Sequence, residues 1–205
     1  MRLNRLLVLP PAVCLLPTDY MAIEIEKKYR LTKEQHESVR LRLPEIGAKL
    51  LREEFEENTL YGGKGLAVGR TVLRLRRVGD SAILTYKKRL PTSSSIKHQR
   101  EDETQVDDPE ALNSILAALG FTPALVYEKR RETWMLGKAE IVIDELPFGL
   151  FMEIEGKERD IRAVENRLAV KNLKAENLSY PQLTLENGKN SRGVIEARFK
   201  RTRSR

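Results

Sequence analysis

The sequence predicts an α+β domain built on a mainly antiparallel sheet. Three observations carry this. Seven or eight short segments show the two-residue period of a strand, only about three segments carry helical caps and spacing, and no strand–helix–strand alternation links them. The chain has 205 residues, 40% of them hydrophobic, enough for one core. A single cysteine, 12 glycines and 9 prolines exclude a disulfide framework, a cysteine zinc cluster and a collagen repeat. That cysteine usage places the expected setting in a reducing, cytoplasmic compartment.

Residues 1–20 join Arg2 and Arg5 to an apolar stretch, as a secretion signal does. They lack a small-x-small cleavage site, and Pro10 with Pro11 breaks the helix such a signal forms. The run Leu6 to Thr18 is also too short for the ~20 apolar residues of a membrane-spanning helix. We therefore expect a disordered leader or an over-long start outside the fold, with an export signal as the alternative, and no membrane span.

From Ala22 to Arg30 the chain alternates, with Ile23 and Ile25 on one face and Glu24, Glu26 and Lys28 on the other. Thr32 and Gln35 form a capping box for a helix through Val39, Leu41 and Leu43, which Pro44 disturbs. Strands come next at Glu57 to Tyr61, Thr71 to Arg77, Ala82 to Lys88 and Gln99 to Val106, separated by Gly- or Ser-rich turns. Asp108 caps a second helix that has Pro109 in its first turn and is closed by Gly120. Three more strands are expected at Val126 to Trp134, Glu140 to Leu146 and Leu150 to Glu155, then a helix over Glu158 to Leu173 with Ile161, Val164 and Leu168 inward.

The net charge of +7 resembles a nucleic-acid signal until it is located. Residues 191–205 carry +5 and the leader +1, which leaves +1 for residues 21–190. The expectation is a nearly neutral domain over 21–180 and a basic, flexible tail over 181–205, with no specific nucleic-acid partner.

Charged residues two apart on a strand usually face water, but here the pattern recurs across the strands. Arg74 pairs with Arg76, Lys87 follows Leu84, Glu101 pairs with Glu103, and Lys129 with Arg131. Asp144 follows Ile141 and Ile143, and Glu153 and Glu155 flank Ile154. If the apolar faces pack against helices, the charged faces converge inside a curled sheet. Such an interior needs a ligand, because buried charge is costly unless it is matched. Lys28, Arg74, Arg76, Lys87, Lys129 and Arg131 suit polyphosphate oxygens. Glu24, Glu26, Glu153, Glu155 and Asp144, with Glu101 and Glu103 in reserve, suit hard cations such as Mg²⁺ or Mn²⁺. Arg77, Lys88, Arg89 and Arg130 read as outward charges, and Tyr127, Trp134 and Phe151 as packing. His36 and His98 read as solvent-facing, and Gly62, Gly63 and Gly65 as a turn without phosphate-loop spacing.

The pentapeptide Glu24-Ile-Glu-Lys-Lys28 resembles the E-x-E-x-K signature of the CYTH superfamily, the triphosphate tunnel metalloenzymes. The segments C-terminal to it keep the family's order: LRLRR, LTYKK, REDETQVDD, EKRRETW and IVIDELPFGLFMEIEG, over about residues 21–175. The resemblance implies an eight-stranded antiparallel β-barrel, a tunnel with a charged interior and a few packed helices. It implies that the basic residues hold a small-molecule triphosphate, and that Glu24, Glu26, Glu153 and Glu155 hold Mg²⁺ or Mn²⁺. Lys28 would orient or deprotonate the attacking water, or bind phosphate alone. One departure concerns the middle acidic strand. Gln99 stands where the family commonly has arginine, with Arg100 beside it, so the register of Arg100, Glu101 and Glu103 stays open. The expected activity is hydrolysis of a terminal phosphoanhydride in tripolyphosphate, thiamine triphosphate or a nucleotide. Class IV adenylate cyclase activity and a non-catalytic polyphosphate-binding module are the alternatives, in a monomer or homodimer.

Overall fold

A computed structural model describes residues 23–66, 70–91 and 97–200, excluding the side chains of 23, 24 and 97–99. The expected leader and its Cys14 lie outside these residues. In chain order the elements are β1 (Ile23–Leu31), α1 (Lys33–Glu45), β2 (Lys49–Gly62), β3 (Thr71–Val78), β4 (Ser81–Arg89), β5 (Lys97–Gln105) and α2 (Pro109–Ala118). They continue with β6 (Thr122–Leu136), β7 (Ala139–Leu146), β8 (Gly149–Glu155), α3 (Glu158–Leu168), α4 (Tyr180–Asn187), β9 (Lys189–Ser191) and β10 (Val194–Ala197). Among the described residues no helix is long and apolar enough to cross a membrane.

Eight strands run in the order β2-β3-β4-β5-β1-β8-β7-β6, each antiparallel to its neighbours, and pairing of β2 with β6 closes the ring. That seam runs from Lys49 opposite Met135 to Gly62 opposite Thr122, and two register shifts bend it. Closure removes the exposed edges of the ring and forces inward and outward residues to alternate on every strand.

The helices cover the outer apolar faces. Tyr29, Ile141, Ile143, Met152 and Ile154 pack with Val39 and Leu43 of α1 and with Ile161, Val164 and Leu168 of α3. Each such side chain contributes roughly 1.5–3 kcal/mol when fully buried. On the same outer face Tyr29 donates to Glu165, which Lys27 also holds at 2.5 Å. The N-caps behave as the sequence predicts: Thr32 accepts from the backbone of Gln35 in a capping box, and Asp108 accepts from the backbones of Glu110 and Ala111. The third helix is shorter than expected, because Ala169 turns left-handed with φ of 59° and ends it at Leu168.

Two expectations need larger correction. β2 begins at Lys49, eight residues before the expected start; its residues Arg52, Glu53, Glu54 and Glu56 are charged on both faces, so no apolar period marks the strand. The segment expected to be a flexible tail is folded as far as residue 200. Ser179 and Gln182 cap α4 reciprocally, with Pro181 in the first turn. β10 then pairs in parallel with Leu125, Val126 and Tyr127 of β6. Arg198 binds Glu57, Glu128 and Glu196, the Phe199 amide donates to Glu128, and the Phe199 ring packs on Phe55. The positive charge of Arg198 is thus matched by acids of the barrel wall.

Candidate active site

Alternation along each strand turns the predicted charges inward. Lys28 and Glu26 on β1, Arg74 and Arg76 on β3, and Lys87 on β4 line a cavity of about 1320 Å³. So do Glu101 and Glu103 on β5, Lys129 and Arg131 on β6, and Glu153 and Glu155 on β8. The backbone of Glu24 pairs with Gln99, but its side chain lies outside the described residues.

The deepest charges form one network. Lys28 stands opposite Glu153, its Nζ 3.1 Å from the Glu153 carboxylate and 3.7 Å from the centre of the Tyr180 ring. Arg131 grips Asp144 with two hydrogen bonds of 2.7 and 2.6 Å and reaches Glu153 at 2.9 Å. The Lys129 Nζ lies 3.3 Å from Glu56 and 3.7 Å from Asp144. Tyr180 donates to Asp144 at 2.7 Å. Three cations and three carboxylates therefore balance in a region where Lys28 is 2% exposed and Lys129 1%.

This environment moves the proton equilibria. Burial opposes ionisation of Glu56, but Lys129, Arg131, Arg74 and Arg76 overcome it and hold its pKa at about 2. Burial and then Arg131 push Lys129 down to about 8, against the pull of Asp144, Glu56 and Glu153. Burial, reinforced by Asp144 and Glu153, pushes the Tyr180 phenol well up, so it stays a donor.

The opposite wall is looser. Lys87 lies 2.5 Å from Glu101, and Arg74 and Arg76 lie 3.6 and 3.4 Å from Glu103. Thr85 donates to Glu103 at 2.7 Å. The Nε atoms of Arg74 and Arg76 are buried and have no hydrogen-bond partner. Buried orphan donors on two neighbouring arginines of a cavity wall are what an oxyanion satisfies.

Asp144 faces inward opposite Arg131 but does not border the cavity; it is fully buried beneath Arg131 and Tyr180, which it holds. Arg100 is corrected outright. The register Lys87 opposite Glu101 and Thr85 opposite Glu103 turns both glutamates inward and Arg100 outward, where it binds Asp102 at 2.8 Å. Arg77 and Arg130 face outward as expected, on Glu110 and Glu145. Arg89, expected outside, borders the cavity, as do Gly62 and Gly63. His36 is half-buried rather than solvent-facing.

Sequence reasoning missed Glu56, Tyr180 and Glu140. Glu56 continues the inward series of Asn58 and Leu60, and starting β2 earlier exposes it. Tyr180 carries no local signal except the helix cap before it. Glu140 completes a row: Glu26 stands opposite Glu155, and Glu155 opposite Glu140. Their oxygens are the hard donors that Mg²⁺ or Mn²⁺ takes, and like charges placed directly opposite favour an intervening cation. Among the described residues no three acids converge into a ready cation cage, and Glu153 is drawn toward Lys28 and Arg131.

The comparisons fit this barrel. The chain resembles the PH1012 protein from Pyrococcus horikoshii, with 26% identity, a TM-score of 0.69, and coverage of 78% of this chain and 98% of that one. It shares its fold with an adenylate cyclase candidate from Vibrio parahaemolyticus: 23% identity, TM-score 0.60, 77% of this chain and 95% of that one. It shares it also with HpAC1 from Hippeastrum, an adenylyl cyclase candidate described as having a dominant triphosphatase activity: 20% identity, TM-score 0.61, 79% and 94%. None of the curated proteins matches the chain. The CYTH domain model matches residues 22–187, most of the chain and nearly all of the barrel with its helices, so the protein belongs to the CYTH family.

Proposed function

We propose that the protein is a divalent-metal-dependent enzyme that hydrolyses the terminal phosphoanhydride of a triphosphate-containing substrate. The observation that carries this reading is the pair of buried, unpartnered Nε donors on Arg74 and Arg76. They stand in one cavity with Lys28, Lys87, Lys129 and Arg131. Six cations, two of them with spare donors, match a chain of phosphate oxygens better than any neutral ligand. Description of the structural neighbour HpAC1 by a dominant triphosphatase activity agrees with it.

In this reading Arg74, Arg76, Lys87, Lys129 and Arg131 grip the phosphates and fix the terminal phosphorus. Glu24, Glu26, Glu153 and Glu155 would hold Mg²⁺ or Mn²⁺, and Asp144, on the same inner face, fixes Arg131 beside Glu153. A bound divalent cation would neutralise phosphate charge and draw electron density from phosphorus. Lys28, beside Glu153 and Glu26, orients the attacking water. The water oxygen bonds to the terminal phosphorus as the bridging P–O bond breaks, and the displaced oxygen leaves on the remaining diphosphate. Release of orthophosphate from tripolyphosphate, thiamine triphosphate or ATP, followed by ³¹P NMR, is expected with Mg²⁺ or Mn²⁺ and not with EDTA. Formation of pyrophosphate and a cyclic nucleotide from ATP would identify a cyclase instead, and binding without turnover a polyphosphate-binding module.

A further inference from the structure

Lys28 is held from outside its own strand. The chain between α3 and α4 runs back to β1, where the Glu176 amide donates to the Lys28 carbonyl at 2.8 Å and the Leu178 carbonyl accepts from the Lys28 Nζ at 3.3 Å. Two residues on, the face of the Tyr180 ring meets that ammonium, with 3.7 Å from Nζ to the ring centre. Together with Glu153 at 3.1 Å, three groups surround the head of Lys28, and two of them come from residues 178–180. A lysine head carries three donors on a flexible four-carbon stem, so its place is set by what receives those donors. β1 itself supplies none of the three.

The ring is fixed in its turn. Phe151 meets it edge-on at 5.4 Å and Tyr127 lies tilted against it at 6.2 Å. Its hydroxyl donates to Asp144, which grips Arg131 with two hydrogen bonds. α4 is anchored at both ends, by the Ser179–Gln182 capping box before it and, after it, by the pairing of β10 with β6, the strand that carries Lys129 and Arg131. One side chain therefore meets Lys28 with its face and the partner of Arg131 with its hydroxyl. A tyrosine kept only to fill the core would need neither contact.

Resting on the triphosphate reading above, we propose that Tyr180 is a positioning residue for the hydrolysis: its ring face fixes the Lys28 ammonium toward the attacking water, and its hydroxyl, through Asp144, fixes Arg131 on the phosphates. The two halves of the side chain then act on different kinetic quantities. Lys28 acts on the water as it attacks, so the ring supports kcat. Arg131 holds the phosphates in the ground state as well, so the hydroxyl supports KM.

The test measures kcat and KM for ATP, thiamine triphosphate and tripolyphosphate with Mg²⁺, in the full chain and in Tyr180→Phe and Tyr180→Leu. Sites are counted by calorimetric titration with tripolyphosphate, so that partial unfolding lowers the count and not the rate per site. Tyr180→Phe keeps the ring face and is expected to raise KM about three- to tenfold while kcat stays within about twofold. Tyr180→Leu loses the face as well and is expected to lower kcat about tenfold or more, the size of a desolvated cation–π contact. Proton NMR of protein with ¹³C-labelled lysine reads the geometry directly. The Lys28 ε-methylene protons, assigned by their absence in Lys28→Arg, are expected upfield of those of exposed lysines, to stay there in Tyr180→Phe and to move downfield in Tyr180→Leu. If Tyr180→Leu fails to fold, the upfield signal of the unaltered protein and the KM rise at constant kcat in Tyr180→Phe decide the matter. Equal loss of kcat in both variants, or constants unmoved in both, overturns the positioning role and leaves the hydrolase reading intact. No turnover by the unaltered protein overturns the hydrolase reading and the role of the ring in kcat with it. The role of the hydroxyl is then read from the dissociation constant of tripolyphosphate, where weakening in Tyr180→Phe supports it and an unchanged constant overturns it.

Discussion

On the wall formed by β1, β2, β6, β7 and β8, Lys28, Lys129 and Arg131 are matched one for one by Glu153, Glu56 and Asp144, and the group is almost wholly buried. On the wall formed by β3, β4 and β5, Arg74, Arg76 and Lys87 share Glu101 and Glu103 with longer contacts from the arginines, and two of their donors have no partner. The first wall is locked by its own charges. The second retains hydrogen-bonding capacity for a ligand. A buried ion pair is a weak source of net stability, but breaking one by removing a single partner is strongly destabilising. In the proposed function the cations of the locked wall would therefore act as preorganised charge, and those of the open wall as exchangeable grips. This distinction separates positions whose substitution unfolds the protein from positions whose substitution weakens binding.

The sharpest way to break the comparison is Asp144→Ala. It leaves Arg131 without its two-point partner and Tyr180 without an acceptor in a buried site. A loss of about 3–5 kcal/mol is expected in urea unfolding. A loss below ~1 kcal/mol would mean that the wall is not locked.

Glu56 tests the same wall through pH. Its folded pKa is held near 2 against an ordinary value of 4.5. A depressed carboxylate pKa gives stability that is fully present above the unfolded value and is lost as pH falls through the folded one. The contribution, about 3 kcal/mol, should disappear between about pH 4.5 and 2. In Glu56→Gln that part of the stability–pH curve should flatten, and the variant should already be weaker at pH 7. An acid limb of unchanged slope would sink the assignment.

The open wall should respond in the opposite sense. Arg74→Ala or Arg76→Ala removes an unpartnered donor and a long ion pair to Glu103, with the Thr85 hydrogen bond also lost at Arg74, so stability should fall by about 1–2 kcal/mol, less than at Asp144. KM for the triphosphate substrate should rise about tenfold or more, in line with one lost charge-assisted contact worth ~1.5–3 kcal/mol. Equal stability loss at Asp144 and Arg74 would erase the difference between the walls.

The parts of this arrangement that the sequence revealed are those where an apolar outer face alternates with a charged inner one. Ile25 between Glu24 and Glu26, Leu75 between Arg74 and Arg76, and Ile154 between Glu153 and Glu155 mark β1, β3 and β8 in this way. β2 was legible only at its end, because Arg52, Glu53, Glu54 and Glu56 put charge on both faces. Tyr180 was illegible for a different reason: 36 residues of chain separate it from Asp144, and only tertiary packing of α4 brings them together. Arg198 likewise meets Glu57 across 141 residues, so local composition read as a loose basic tail what long-range pairing fixes to the barrel.

The smallest effect is expected where alternation alone decides the matter. Arg100 and Glu101 are neighbours in an acidic strand, and a one-residue slip would exchange their faces. The pairing of Lys87 with Glu101 turns Arg100 outward to Asp102, where both side chains are largely exposed. Such a surface pair is worth about 0–1 kcal/mol. Arg100→Ala should therefore leave KM unchanged and move stability by no more than ~0.5 kcal/mol. Glu101→Ala, one residue on, frees Lys87 from its partner at 2.5 Å and should change KM. Reversed results, with Arg100 sensitive and Glu101 silent, would shift the register of β5 by one and remove Glu101 and Glu103 from the open wall.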